Sequence, residues 1–123
     1  MTTGASRSKE PIELARLLVD ALEAKKADDI LLLDLQDVCS FADYFIIASG
    51  ASERTLDALA EDAVRQAKRA RVGYVPSVEG NAASGWILVD CGGVVVHLFS
   101  VKQRKYYRLE DLWKVGKVIV HLK

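Results

Sequence analysis

The chain has 123 residues, half of them apolar and 28% charged, a balance that points to a single globular domain and excludes disordered, collagenous and membrane-spanning classes. Seventeen Lys and Arg offset seventeen Asp and Glu, so attraction to nucleic acid cannot rest on net charge and would need a local patch. A chain of this size buries roughly two-thirds of its unfolded surface, so neither a metal nor a disulfide framework is needed for stability.

Residues 1–9 are small and polar and read as a flexible leader. They hold no apolar signal segment, and cytoplasmic residence is the expectation. Pro11 suits a first helical turn, and Ile12, Ala15, Leu18, Val19 and Leu22 recur at helical spacing, which predicts a helix to about Ala27. The apolar run Ile30 to Leu35 predicts a strand covered on both faces, and Tyr44 to Ala48 predicts a second, ending at Ser49-Gly50. Ser52 is a candidate N-cap for a long helix with Leu56, Leu59, Ala60, Ala63, Ala67 and Ala70 on one face and Glu61 paired to Arg65 outside.

Tyr74 to Ser84 reads as an irregular connection with a short edge strand around Ser77 to Glu79. Trp86 to Asp90 and Val94 to Phe99 flank Cys91-Gly92-Gly93, a hairpin signal. Lys102 to Trp113 offers Tyr106, Leu109, Leu112 and Trp113 as a short helical cover for one sheet face. Val118 to Leu122 has strand composition but lies beyond the elements that complete the expected domain. The fold class is α/β, a single domain with a mixed sheet packed by helices in the order α-β-β-α-(β)-β-β-α. The division is a 1–9 leader, a 10–113 domain and a 114–123 C-terminal extension.

Catalysis finds no candidates. Cys39 and Cys91 lack ligand or redox spacing and read as buried thiols of a reduced chain, and neither they nor His97 and His121 have an activating neighbour in sequence. Gly92-Gly93 sits in a hairpin and does not open a helix as a phosphate loop would. No metal or other cofactor is called for. Asp34, Asp37 and Asp43 near strand ends leave one enzymatic alternative, a nucleotidyltransferase-like domain with metal-binding carboxylates. Its Asp-x-Asp strand is missing.

The run LDLQDVCSFADYFIIASGASER from Leu33 to Arg54 resembles the signature of the ribosomal silencing factor (Iojap-like) family. PSVEG at Pro76 to Gly80, WILVD at Trp86 to Asp90, VVVHLF at Val94 to Phe99 and YYRLEDLW at Tyr106 to Trp113 follow in that family's order. The resemblance runs from about Pro11 to Trp113, with Gly93 standing where the family usually has Asp. It implies a non-enzymatic translational repressor that docks on ribosomal protein L-fourteen of the large subunit and blocks joining of the small subunit when nutrients are scarce. It also implies a homodimer off the ribosome.

Five residues are candidates for the partner surface. Asp43 could cap local backbone or face a basic partner. Tyr44 could pack in the core or at its rim. Trp86, beside the polar connection, could be a core indole or an interface anchor, with Glu79 and Asp90 supplying carboxylates that suit a basic ribosomal protein. Lys102, Arg104 and Lys105, interleaved with Tyr106 and Tyr107, could contact ribosomal RNA phosphates or form a solvated face. His97 reads as a structural residue.

Overall fold

The computed structural model describes residues 10–108, 111 and 116–123. The 1–9 leader and the cover expected from Leu109, Leu112 and Trp113 lie outside the described residues. Helix α1 spans Pro11–Ala24, β1 Asp28–Asp34, β2 Tyr44–Gly50, α2 Glu53–Ala70, β3 Ser77–Asn81, β4 Trp86–Asp90, β5 Val94–Ser100, α3 Val101–Tyr107 and β6 Lys117–Leu122, with a one-turn 3-10 helix at Ala82–Ser84. No described helix is long and apolar enough to cross a membrane.

Local chemistry accounts for the helix ends. Glu10 and Glu13 form a reciprocal capping box, and Pro11 occupies the first turn where its missing N–H costs nothing. The chain leaves α1 through Lys26 at φ 66°, so the helix stops before Ala27. Ser52 caps α2 as expected, its Oγ accepting from Thr55 N at 3.1 Å. The expected Glu61–Arg65 pair is corrected: Arg65 turns to Asp62, which is buried and gains a charged donor one turn away.

The six strands form one sheet in the order β3-β4-β5-β2-β1-β6. Only β2 and β5 run parallel among these pairs, and the return between them passes through α2, β3 and β4. Lys117–Leu122, set apart from the domain by sequence, pairs antiparallel along β1 from Ile30↔Leu122 to Asp34↔Lys117 and is the sixth strand of this sheet.

Side chains alternate across the sheet. Ile30, Leu32, Tyr44, Ile46, Ala48, Ile87, Val89, Val94, Val96 and Leu98 meet Leu14, Leu18, Leu56, Leu59 and Ala63 of α1 and α2 in the main core. Leu31, Leu33, Ile47 and Phe99 point the other way and join Leu35, with Cys39, Phe45 and Trp86 packed around them. β1 is therefore covered on both faces, as its unbroken apolar run requires. Cys91 is fully buried, whereas Cys39 is only partly covered, which corrects the reading of two buried thiols. Burial pushes the Cys91 thiol up to about 12, beyond the range in which a thiolate nucleophile forms.

Candidate docking surface

The sheet face opposite α1 and α2 carries a run of aromatic rings. Trp86 starts β4 directly opposite Phe99 of β5, and Leu88, two residues on, faces His97. The Trp86 ring centroid lies 5.0 Å from Phe99 and 4.5 Å from Tyr107 of α3. Its indole Nε1–H donates to His97 Nδ1 at 3.2 Å. His97 in turn sits 4.6 Å from the Phe45 ring.

Trp86 is only half-buried. Beside it a cleft of about 290 Å³ is lined by Glu79, Gly80, Ser84, Trp86, Leu88 and Tyr107. Gly80 is required here: its φ is 81°, and a Cβ would stand 2.2 Å from the Trp86 carbonyl oxygen, so only glycine lets β3 cross this close to β4. Glu79 shares the face of Trp86 and Leu88, being paired with Leu88 across the strands. The cleft thus combines an open indole face, a second exposed aromatic in Tyr107 and one carboxylate. Such a combination takes aliphatic or cationic side chains.

The other nominated residues lie elsewhere. Asp90 is at the far end of β4 from Trp86, about 13 Å away at strand rise, where its Oδ1 accepts from Gly92 N at 2.9 Å and caps the hairpin turn. Asp43 abuts the same turn, with its backbone N–H donating to the Gly93 carbonyl at 2.7 Å and its carboxylate 3.1 Å from where a Gly93 Cβ would stand. A glycine at 93, with φ 88°, leaves that carboxylate room. Tyr44 is corrected outright as a surface anchor: it is 6% exposed and points into the main core, on the opposite side of the sheet from Trp86. Burial and then the Asp34 and Asp43 carboxylates raise its phenol above the usual value.

Lys102 and Lys105 are exposed on α3 beside Tyr106, but Arg104 is a second correction. It is 5% exposed and donates to the Asp29 carbonyl at 2.8 Å and to Ser49 Oγ at 3.1 Å, so its guanidinium holds the fold and does not face phosphates. The carboxylates of the enzymatic alternative are dispersed in their roles. Asp34 Oδ1 accepts from Gln36 N at 2.9 Å, and Asp37 pairs with Lys117 at 3.8 Å. Among the described residues no group of three or more His, Cys, Asp or Glu is placed to hold a metal.

Comparison with known proteins gives this fold a family. A sequence profile for "Ribosomal silencing factor during starvation" matches residues 8–122. The chain belongs to the ribosomal silencing factor family. The match includes β6, so the terminal strand is common to the family domain. A ribosomal silencing factor from Zymomonas mobilis is 38% identical over 109 residues, covering 89% of this chain and 81% of that protein. "Mitochondrial assembly of ribosomal large subunit protein 1" from Mus musculus is 35% identical over 99 residues, 79% of this chain and 43% of that one. A crystal structure of a protein from Chromobacterium violaceum superposes with a TM-score of 0.79 at 36% identity, covering 91% of this chain and 94% of that one. The mixed α/β sheet is thus the fold of this family.

Sequence reading missed Leu88, Ser84 and Tyr107 as lining of the cleft, and His97 as a partner of Trp86. Strand alternation was a usable signal for Leu88, since residues two apart share a face. The others depend on register between strands and on where α3 returns.

His97 carries a pH dependence. Burial lowers it from 6.5 to about 4. Above pH 6.5 the ring is neutral in both folded and unfolded chains. As pH falls from 6.5 toward 4 the unfolded chain takes up a proton that the folded one refuses, so stability declines across that window. The gap between 6.5 and about 4 corresponds to at most about 3 kcal/mol. Urea midpoints between pH 7.5 and 4.5 should fall steeply for the wild type and less so for His97→Phe. Parallel curves would show that another group is responsible.

Proposed function

We propose that this chain binds the large ribosomal subunit through ribosomal protein L-fourteen, blocks association with the small subunit and so represses translation under nutrient limitation. It works by occupying a surface and not by catalysing a reaction, in the cytoplasm, and it is a homodimer when off the ribosome. The observation that carries this reading is the family match over nearly the whole chain, residues 8–122. The name of the mouse relative, which refers to the large subunit, adds weight to that subunit as the partner.

The surface chemistry agrees. Of the residues nominated for docking, Trp86 and Glu79 converge on one cleft, and its mixed aromatic and polar walls with a single carboxylate suit a basic ribosomal protein. Asp43 and Asp90 lie at the hairpin end and would form a separate, peripheral acidic contact. Lys102 and Lys105, exposed on α3, would touch ribosomal RNA phosphates, a salt-sensitive addition.

The test is co-sedimentation of the purified chain with isolated bacterial large and small subunits, followed by a joining assay. Selective binding to large subunits and a dose-dependent loss of joined ribosomes are expected. Equal binding to both subunits, or unimpeded joining at saturation, would sink the reading.

A further inference from the structure

We propose that His97 is a positioning residue for Trp86, holding the indole so that its N–H is satisfied inside the chain and its ring face is what a docking partner meets. This rests on the reading that Trp86 contacts the large subunit.

The indole N–H can only donate, so the 3.2 Å bond to His97 Nδ1 places the imidazole proton on Nε2. That Nε2–H is buried and has no acceptor among the described residues. His97 is 5% exposed and packed among apolar and aromatic side chains, 4.6 Å from Phe45 and nearly parallel to Phe99 at 6.3 Å. A phenylalanine would remove that donor but would take the acceptor away from the part-buried Trp86 indole N–H. On stability alone, therefore, the two rings each leave one N–H unmatched, and the difference between them is which one.

What phenylalanine cannot do is accept a hydrogen bond from Trp86. The histidine uses Nδ1 to fix the indole, a task that a hydrocarbon ring cannot perform. With the N–H turned inward, the part of Trp86 left to line the cleft with Glu79, Leu88 and Tyr107 is carbon and π surface. A partner then needs to offer an aliphatic or cationic side chain there, and has no use for an acceptor oxygen. His97 thereby contributes to selectivity without reaching the surface.

The experiment compares wild type, His97→Phe, His97→Asn and Trp86→Ala for affinity to purified bacterial large subunits, denaturant midpoint near neutral pH, and the Trp86 indole N–H resonance. Trp113→Phe identifies which of the indole signals belongs to Trp86. His97→Phe is expected to change the midpoint little, shift the Trp86 indole resonance and speed its exchange, and weaken subunit binding about tenfold, the scale of one lost oriented contact. His97→Asn, whose Oδ1 stands near the position of Nδ1, should recover most of the affinity and the slow exchange. A strongly lowered midpoint for His97→Phe would mean the imidazole is there for stability and would overturn the proposal. So would wild-type affinity in His97→Phe alongside a defective Trp86→Ala, or equal loss in the Phe and Asn variants. If Trp86→Ala itself binds normally, it is the docking reading that fails.

Discussion

Trp86→Ala weakens large-subunit binding about thirtyfold or more, the loss of roughly 2 kcal/mol typical of a desolvated tryptophan anchor. The indole is half-buried, with one side packed on Phe99, Tyr107 and His97 and the other on the cleft. Truncating a fully buried Trp costs roughly 3 to 5 kcal/mol of stability, and a half-buried one falls below that range. Enough stability remains for the variant to be folded when it is assayed. Glu79→Gln, in contrast, removes an exposed charge and should lower affinity only a few fold, an effect that fades as salt is raised. Subunit affinity and denaturant midpoint measured on the same Trp86→Ala protein decide the matter. A large drop in midpoint with normal binding by the folded fraction would make Trp86 a core residue and remove the centre of the proposed surface.

The elements that sequence made legible are those set by near neighbours. The hairpin follows from Gly92 and Gly93, which adopt the positive φ that a tight turn demands, and the start of α2 follows from one hydroxyl at Ser52. β6 was harder because its partner strand is β1, with Ile30 paired to Leu122 across most of the chain. Composition announces a strand but not where it docks. The same limit applies at the candidate site. Tyr44 and Trp86 both look like aromatic anchors at strand starts, but register sends them to opposite faces: Tyr44 aligns with Val94 in the core, whereas Trp86 aligns with Phe99. Nothing within either strand specifies that relation.

Arg104 illustrates the point with the largest expected cost to stability. Sequence groups it with Lys102 and Lys105 as one basic patch, yet a helical turn rotates it inward while its neighbours stay exposed. Its guanidinium reaches the Asp29 carbonyl and Ser49 Oγ, and lies 3.5 Å from the Asp29 carboxylate. Asp29 is a non-glycine residue at φ 52°, a conformation that costs about 1 to 3 kcal/mol unless its surroundings hold it. Here Arg104 holds the carbonyl, and His121 of β6 holds the carboxylate at 2.8 Å. One side chain thus fastens α3 to the start of β1 and the end of β2. Arg104→Ala removes the donors to one buried and one partly buried acceptor and opens a gap beneath α3, so the expected loss is about 3 kcal/mol or more. Lys102→Ala and Lys105→Ala, both at exposed positions, should leave the midpoint within about 0.5 kcal/mol of wild type and act only on binding, through its salt dependence. Urea denaturation of the three variants in parallel tests the division. An Arg104→Ala midpoint indistinguishable from those of the lysine variants would return Arg104 to the surface patch that its sequence neighbours suggest.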